Sequence, residues 1–349
     1  CRTHHVQADQ PIDTQLKMQC LFIGTLPITV LPPLLVTEFI LGFLGNGLAL
    51  WIFCFHLKPW KSSTVLLFNL AIADFLLNMA LPFRASYYLS GIKWKFGNAL
   101  CNICLFMLAV NRSGSTLFLM VIAVDRYMRV VHPHHSINSL SVSKAVLGAL
   151  ALWVLTIAMT AQIFTLQHPE STYCETFMIE TEPSNTLIWY TFGFFISVFI
   201  PLFVILYCTI HIIAHLRGRQ LAQHAKIKKA LCFITVVVVL FIICFLPSSI
   251  TLLLVLAKIS NTPSTSSPYV CPDLESLTTA FHITISMTYL NSALDPVVYY
   301  FSSPGFKSIC RKILHLPQAD TVESTEKKVQ RRKHEKQAPS QSASCDHKS

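Results

Sequence analysis

Charged residues are scarce in this 349-residue chain, at 13% of the sequence, and acids are scarcer than bases, with 17 Asp and Glu against 27 Lys and Arg. A soluble globular domain carries about 25% charged residues because its surface faces water. The low charge therefore excludes a soluble globular protein, and the 53% of hydrophobic residues excludes a disordered chain. A mean hydropathy of +0.53 leaves a polytopic membrane protein as the class.

Long apolar runs predict seven membrane-spanning helices. A bilayer core of about 30 Å requires roughly 20 apolar residues of helix, and these runs lack the strict alternation of β-barrel strands. The predicted spans one to seven cover residues 31–56, 64–90, 98–131, 144–166, 186–216, 225–257 and 273–301. The sequence thus predicts an all-α, seven-transmembrane helix bundle over residues 31–301.

The basic residues are distributed unevenly between the two sides of these spans. Apart from Arg84 and Arg112, which lie within spans, 20 Lys and Arg fall on the side of the C-terminal tail and 5 on the other. An excess of Lys and Arg marks the cytoplasmic side of a membrane protein. We therefore expect a plasma-membrane protein with an extracellular N-terminus (residues 1–30) and a cytoplasmic C-terminus. The basic face is expected to contact anionic lipid, and no nucleic acid is expected as a partner. The polar stretch Cys1–Leu16 is not typical of a cleavable signal peptide.

The segment after span seven has apolar residues at helical spacing, with Lys and Arg between them. This pattern predicts an amphipathic helix on the membrane surface over residues 302–316. Cys310 within it is either palmitoylated or a plain thiol. The polar residues 317–349 are predicted to form a disordered cytoplasmic tail, whose Ser and Thr are candidate phosphorylation sites for recruiting arrestin.

Four cysteines lie on the predicted extracellular side, where disulfides form. Cys101 opens span three and Cys174 lies mid-loop between spans four and five, which leaves Cys20 and Cys271 for a second bridge. Four cysteines allow three connectivities, so this pairing is a hypothesis.

Two arginines are placed at membrane depth by the sequence. Arg112 precedes the cytoplasmic Arg126 by 14 residues, about 21 Å of helix, and Arg84 follows Asp74 by 10 residues, about 15 Å. Both are expected in an outer cavity where cations outnumber acids. An internal salt bridge, for example to Glu38 of span one, is one interpretation. The other is a carboxylate ligand entering from outside, because a guanidinium binds a carboxylate in bidentate fashion.

A deeper group of polar residues comes from three spans. A buried carboxylate must become neutral or find a partner. Oxygen atoms from three helices suit a small hard cation such as Na⁺, and a hydrogen-bonded network with water is the alternative. No other cofactor is expected. The group consists of Asp74, Ser115, Asn291 and Asp295.

One motif in each span, in order along the chain, carries a resemblance to a known family. The motifs are Gly45-Asn46, Leu70-Ala71-Ile72-Ala73-Asp74, Asp125-Arg126-Tyr127, Trp153, Pro201 with Tyr207, Cys244-Phe245-Leu246-Pro247 and Asp295-Pro296-Val297-Val298-Tyr299. From about Leu31 to Phe306 the chain resembles the class A (rhodopsin-like) G-protein-coupled receptors. Phe245 stands where most of that class has Trp, and Asp295 where most has Asn.

Residues 51–58, 111–115, 130–135 and 299–304 narrow the resemblance to the hydroxycarboxylic acid receptors, with the oxoeicosanoid receptor close behind. The resemblance implies a receptor for an extracellular carboxylic acid that signals through inhibitory G proteins. It also implies four ligand-binding residues, Arg112, Arg84, Glu175 and Thr288. A receptor for an oxidised fatty acid is the alternative, because residues 248–253 lack the arginine that the family often carries after the span-six proline.

The mechanism implied by the resemblance is a population shift between two packings of the bundle. Asp125 is expected to pair with Arg126 at rest, and the aromatic residues beside the span-six proline are expected to repack. The predicted activation residues are Asp125, Arg126, Tyr127, Phe241, Phe245, Pro247, Asp295, Pro296 and Tyr299. An organic-anion transporter is a remote alternative, disfavoured because the two halves show no internal repeat. No Ser/His/Asp set or zinc-type cluster predicts an enzyme.

Overall fold

The computed structural model describes residues 25–165, 174–175, 185–218, 225–260 and 270–315. Within these ranges the chain forms long helices and no strand, so the all-α prediction is confirmed. The helices are α1 Thr25–Trp51, α2 Ser62–Leu89, α3 Gly97–Val131, α4 Val142–Thr160, α5 Asn185–Gly218, α6 Ala225–Ser260, α7 Val270–Ser302 and α8 Pro304–Ile313. Most of the predicted N-terminal segment, and the tail with its candidate arrestin sites, lie outside the described residues.

Helices α1 to α6 are each long and apolar enough to cross a membrane. Helix α7 is less apolar, but its 33 residues extend about 50 Å, which exceeds the bilayer core. Many of its polar side chains are buried in the bundle. Several donate to oxygens of α7 itself, as Ser286 does to Ile283, Thr288 to Ile285 and Asn291 to Asp295. The buried polar residues of the described part of α7 are Thr278, Ser286, Thr288, Asn291, Ser292, Asp295 and Ser302.

The end of α1 departs from the predicted regular helix. Residues Ile52–His56 form a π-helical turn, in which the amide of Leu57 donates to the carbonyl of Ile52 at 2.9 Å. The carbonyl of Phe53 accepts a hydrogen bond from outside the helix, donated by Trp60 Nε1 at 3.0 Å. A side chain from the following loop therefore supports the wider turn, which hydrophobic periodicity does not predict. Two 3₁₀ turns, Ser136–Ser139 and Ala161–Thr165, flank α4.

Helices α1 and α7 meet closely at the centre of the bundle. A Cβ atom built on Gly45 would lie 2.7 Å from Cγ of Pro296, so a side chain larger than that of glycine would push the helices apart. Asn46 donates to the carbonyl of Ser292 at 2.7 Å, and Tyr299 donates to Asn46 Oδ1 at 3.0 Å. These contacts hold the motif of span one against the motif of span seven.

Helix α8 confirms the predicted amphipathic helix and ends at Ile313. The hydroxyl of Ser303 accepts from the amide of Phe306 at 3.2 Å and caps its first turn. The ring of Phe306 lies 5.3 Å from that of Phe53 and 6.0 Å from that of Tyr299. Cys310 is also buried against the bundle, and burial raises the pKa of its thiol. Below, the end of the bundle where α3 begins is called the disulfide end, and the other end the α8 end.

Candidate ligand-binding and coupling sites

The predicted bridge between Cys101 and Cys174 is present, with the two Cα atoms 5.7 Å apart. It fastens the loop before α5 to the first turns of α3, and both cysteines are fully buried. Cys20 and the side chain of Cys271 lie outside the described residues, so the second bridge stays a prediction. The bonded loop brings the next residue, Glu175, over the disulfide end of the bundle.

Arg84 of α2 is paired inside the protein. Its Nη2 atom lies 3.1 Å from Oε2 and 3.2 Å from Oε1 of Glu175, and it also donates to Tyr88 Oη. Its Nη1 atom donates to the carbonyl of Cys174 at 2.6 Å. The internal salt bridge considered for this arginine therefore exists, but its acid is Glu175 and not Glu38. The prediction that cations outnumber acids is therefore wrong around Arg84, because Glu175 balances its charge.

Glu175 has a second basic neighbour on α7. His282 Nε2 lies 3.6 Å from Glu175 Oε1, while His282 Nδ1 is 2.8 Å from the carbonyl of Thr278. A carbonyl only accepts, so Nδ1 carries a proton, and a second proton on Nε2 makes the ring a cation that faces the carboxylate. Burial alone would raise the pKa of Glu175, but Arg84 and His282 outweigh it and lower that pKa to about 2. Glu175 is thus ionised at neutral pH and connects α2, the disulfide-bonded loop and α7.

Glu38 of α1 is buried, with 2% of its surface exposed. Within the described part of the chain, neither carboxyl oxygen has a hydrogen-bond partner. It is therefore not the partner that the sequence suggested for Arg84.

Arg112 lies on α3 and reaches across to α5 and α6. Its Nη1 atom donates to the carbonyl of Phe194 at 3.1 Å and to Ser197 Oγ at 3.3 Å. Its Nη2 atom donates to Ser249 Oγ at 3.4 Å. The guanidinium carbon lies 3.2 Å from the centre of the Phe194 ring, and only 5% of the residue is exposed. These contacts fix the plane of the guanidinium through uncharged oxygens and an aromatic face.

A small cavity of about 20 Å³ adjoins Arg112 between α3, α4 and α5, which is room for about one water molecule. It is lined by Ala109, Arg112, Ser113, Met159, Thr160, Gly193 and Phe194. Three of these positions carry small side chains, which leave the space open.

The two arginines therefore have different surroundings. Arg84 is held towards the loop and α7, whereas Arg112 is held between α3, α5 and α6. Thr288, the α7 residue predicted to bind ligand, is buried and donates to the carbonyl of Ile285 at 2.6 Å.

The deep polar residues form a network around Asp74. Its Oδ1 atom accepts from Asn111 at 3.0 Å and from Ser115 at 3.2 Å, and its Oδ2 atom accepts from Tyr299 at 2.8 Å. Asn291 donates to Asp295 Oδ2 at 2.7 Å. Asn78, Ser292 and Asn46 extend the hydrogen bonds towards α1. In the described ranges no three His, Cys, Asp or Glu side chains converge as metal ligands, and the sodium site stays a prediction.

Asp125 at the α8 end has two arginine neighbours. Arg126 Nη2 lies 3.6 Å from Asp125 Oδ2, so the expected pair is present. Arg129 is nearer, because its Nε atom donates to Oδ1 at 3.0 Å and to Oδ2 at 2.9 Å. Arg129 Nη2 also donates to Ser62 Oγ on α2 at 3.1 Å.

The other predicted activation residues lie in different parts of the bundle. Tyr299 donates to Asn46 of α1 and Asp74 of α2, whereas Tyr127 is only partly buried. The rings of Phe241 and Phe245 are fully buried with their centres 5.0 Å apart, within two turns of Pro247. Tyr127 is within hydrogen-bond distance of His132, at 3.2 Å, and its ring lies 6.1 Å from that of Tyr207.

Comparison with known proteins identifies the family of this bundle. Residues 45–299 match the family described as 7 transmembrane receptor (rhodopsin family). The chain belongs to this family. As a rhodopsin-family receptor it is a multi-pass membrane protein and not an enzyme, and its partners are a small-molecule ligand and a G protein. The transporter alternative does not hold.

Individual members of the rhodopsin family are similar over most of the chain. Human hydroxycarboxylic acid receptor 2 is 47% identical over 89% of this chain and 85% of its own length. Human hydroxycarboxylic acid receptor 1 is 46% identical over 84% of this chain and 83% of its own. Human oxoeicosanoid receptor 1 is 40% identical over 82% of this chain and 72% of its own. The resemblance to hydroxycarboxylic acid receptors is therefore confirmed.

Several contacts in this rhodopsin-family receptor were missed by sequence reasoning. Arg129 could have been found, because it follows Asp125 by four residues and so faces it on the helix. Asn111 likewise shares a face of α3 with Ser115. His282, Ser197 and Ser249 carried no such signal, because their partners come from other helices or from a loop.

Proposed function

We propose that this receptor binds an extracellular carboxylic acid at Arg112 and activates a G protein of the inhibitory class at its α8 end. The disulfide end is then extracellular and the tail cytoplasmic, as the Lys and Arg distribution favours. The observation that carries the proposal is the position of Arg112, whose buried guanidinium is oriented by hydroxyl and carbonyl oxygens of α5 and α6.

The chemistry of these contacts suits a carboxylate. A guanidinium has five N–H donors in one plane, and charge-assisted bonds to a carboxylate are about twice as strong as neutral ones. Ser197, Ser249 and the carbonyl of Phe194 are uncharged, so they orient Arg112 in a way that is compatible with an acid as a further partner. Because oxygens of α5 and α6 share this arginine, a bound acid alters contacts that hold α3 to both helices. Similarity to relatives named hydroxycarboxylic acid receptors supports the same ligand class.

Arg84 and Glu175 have a different part in this proposal. Their buried ion pair fixes the loop that closes the disulfide end, so they shape the pocket and flank the route of the ligand. Thr288 contributes to the α7 wall. Release of Arg84 to a ligand would leave Glu175 without its main partner, so a direct contact is less favourable here than at Arg112.

An oxidised fatty acid is the second candidate ligand. Residues 248–253 of α6 carry no charge, and Ser249 of this segment contacts Arg112. The lack of charge there favours a ligand with an apolar tail, and the relative named oxoeicosanoid receptor 1 is 40% identical.

Signal transfer is proposed to be a population shift in which the ligand favours one of two packings. Phe241 and Phe245 repack beside Pro247, the α7 residues Asp295, Pro296 and Tyr299 follow, and a groove opens beside Asp125, Arg126 and Tyr127 for a G-protein helix. The inhibitory class rests on the resemblance alone. A sodium ion held by Asp74, Ser115, Asn291 and Asp295 would favour the resting packing. Arrestin is a further proposed partner, recruited by the phosphorylated tail.

A screen tests the ligand class. Small hydroxy acids, ketone-body acids and oxidised fatty acids would be applied to cells that express the receptor or its Arg112→Gln variant, with cAMP as the readout. We expect at least one acid to lower cAMP through the receptor and to lose potency with the variant. Equal potency on both receptors, or no response to any acid, would contradict the proposal. Nucleotide exchange on purified inhibitory and stimulatory G proteins then tests the coupling class.

A further inference from the structure

The carboxylate of Asp125 is held mainly by an arginine other than its neighbour in the activation motif. Arg129 places Nε within 3.0 Å of both carboxylate oxygens and Nη2 2.9 Å from Oδ1. Arg126 approaches to 3.6 Å only. Charge-assisted N–H···O bonds are about 2.7–2.9 Å long, so the contact with Arg129 is a hydrogen-bonded fork. A separation of 3.6 Å is too long for a hydrogen bond.

Helix geometry explains this difference. Residues four apart on a helix face each other, whereas adjacent residues point in directions that differ by about 100°. Asp125 and Arg129 are therefore natural partners along one face of α3. Arg126 must bend around the helix to reach the same carboxylate.

A second helix keeps Arg129 in place. Its Nη2 atom donates to Ser62 Oγ, in the first turn of α2, at 3.1 Å. The side chain of Arg129 is 30% exposed and that of Asp125 16%, so the pair is partly shielded from water. Because Nη2 contacts both Asp125 and Ser62, α2 stabilises the Arg129 rotamer that occupies the carboxylate.

We infer that Arg129 is a positioning residue that competes with Arg126 for Asp125 and so raises the basal activity of the receptor. While the Arg129 fork occupies both carboxylate oxygens, Arg126 is attracted to Asp125 at 3.6 Å but makes no hydrogen bond to it. Without Arg129, Asp125 is free to turn fully towards Arg126 and strengthen the resting contact. The inference rests on the proposed coupling role of Arg126, and it is independent of the ligand.

Basal nucleotide exchange on a purified inhibitory G protein, without ligand, tests this inference. Arg129→Gln should lower basal exchange about two- to fivefold, because partly exposed ion pairs contribute modestly. Arg129→Lys keeps the charge without the fork, so its basal exchange rate should lie between those of the unmodified receptor and Arg129→Gln. Ser62→Ala should lower the rate less than Arg129→Gln does. Lys144→Gln is the matched control, since it removes one positive charge from the first turn of α4 and should leave exchange unchanged. Rates are normalised to monodisperse receptor, so misfolded protein does not contribute.

The decisive arm uses Asp125→Asn. This variant should raise basal exchange, and adding Arg129→Gln to it should have no further effect, because the contested carboxylate is gone. An increase or no change with Arg129→Gln alone would overturn the inference. An equal decrease caused by Arg129→Gln in the Asp125→Asn background would also overturn it. The same holds if the unmodified receptor catalyses no more basal exchange than is measured without receptor. Failure of the carboxylic-acid proposal would appear instead as a lack of response to acids, with these basal rates unaffected.

Discussion

The guanidinium carbon of Arg112 lies 3.2 Å from the centre of the Phe194 ring, which joins α3 to α5 at the proposed ligand site. A cation over an aromatic face gains about 0.5–2 kcal/mol, more when water is excluded. The same residue supplies the carbonyl that accepts from Nη1. Phe194 therefore sets the orientation of the guanidinium through both its ring and its backbone.

Phe194→Leu removes the ring and keeps the carbonyl, so a less ordered guanidinium should bind acids more weakly. We expect about a two- to tenfold loss of potency in a cAMP assay. Phe192→Leu is the matched control, because this exposed ring of the same helix contacts Trp189. An equal loss in both variants would indicate a general packing defect of α5 and would count against the orienting role.

The ion pair of Glu175 with Arg84 predicts a pH dependence of stability. The pKa of Glu175 is lowered from 4.5 to about 2, so its stabilisation is fully present above about pH 4.5 and is lost as the pH falls towards 2. Thermal unfolding of the solubilised receptor should therefore differ from that of Glu175→Gln by more at pH 5 than at pH 3. The difference should shrink below about pH 4.5. A difference that grows on acidification would contradict the ion-pair assignment.

The disulfide between Cys101 and Cys174 closes a loop with a sequence separation of 73 residues. Replacing either cysteine with Ala should cost about 2–5 kcal/mol of stability and release the loop that carries Glu175. The free buried Cys104, one turn further along α3, provides the control. Cys104→Ala should lower the unfolding temperature much less, and similar unfolding temperatures for all three variants would show that the bridge does not stabilise the loop.

The network around Asp74 predicts sensitivity to sodium. Asp74→Asn removes a deep negative charge while keeping the volume, so it should abolish the effect of sodium on agonist potency. Glu38→Gln is the control, since it neutralises another buried carboxyl, on α1, that has no hydrogen-bond partner among the described residues. If sodium does not affect the unmodified receptor, the cation interpretation fails and the hydrogen-bonded network remains.

The spans could be predicted because each is a continuous apolar run long enough to cross a bilayer. The motif residues could be predicted because short segments within the spans resemble those of a known family. The π-helical turn at Ile52–His56 could not, since it depends on the indole of Trp60 reaching Phe53 from the next loop. The acid that pairs with Arg84 was also missed. Glu175 is distant in sequence and reaches α2 only because the disulfide-bonded loop folds over the bundle.

The position of Arg112 along α3 could be predicted from the sequence, but the direction in which its side chain points could not. A rise of about 1.5 Å per residue places it in the half of the bundle nearer the disulfide end. Its contacts with Ser197 and Ser249 depend on how α5 and α6 are rotated, which sequence periodicity leaves open. The same limitation made Arg84 and Arg112 look like equivalent members of one cavity, although the structure gives them different partners.

The most direct test of the carboxylate anchor compares an acid agonist with its methyl ester on the unmodified receptor and on Arg112→Ala. A charge-assisted hydrogen bond contributes about 1.5–3 kcal/mol, so Arg112→Ala should weaken the acid about 10- to 150-fold. Arg112→Lys keeps the charge without the bidentate fork and should restore potency only in part. Arg84→Gln is the control, and it should weaken acid and ester alike because Arg84 acts through Glu175.

Esterification of the agonist should mimic Arg112→Ala on the unmodified receptor and should cost little more on the variant, because both changes remove the same contact. Measured potencies that follow this non-additive pattern are the result that the account predicts. Equal losses for acid and ester on Arg112→Ala would contradict it and leave Arg112 as a residue that only holds α3, α5 and α6 together.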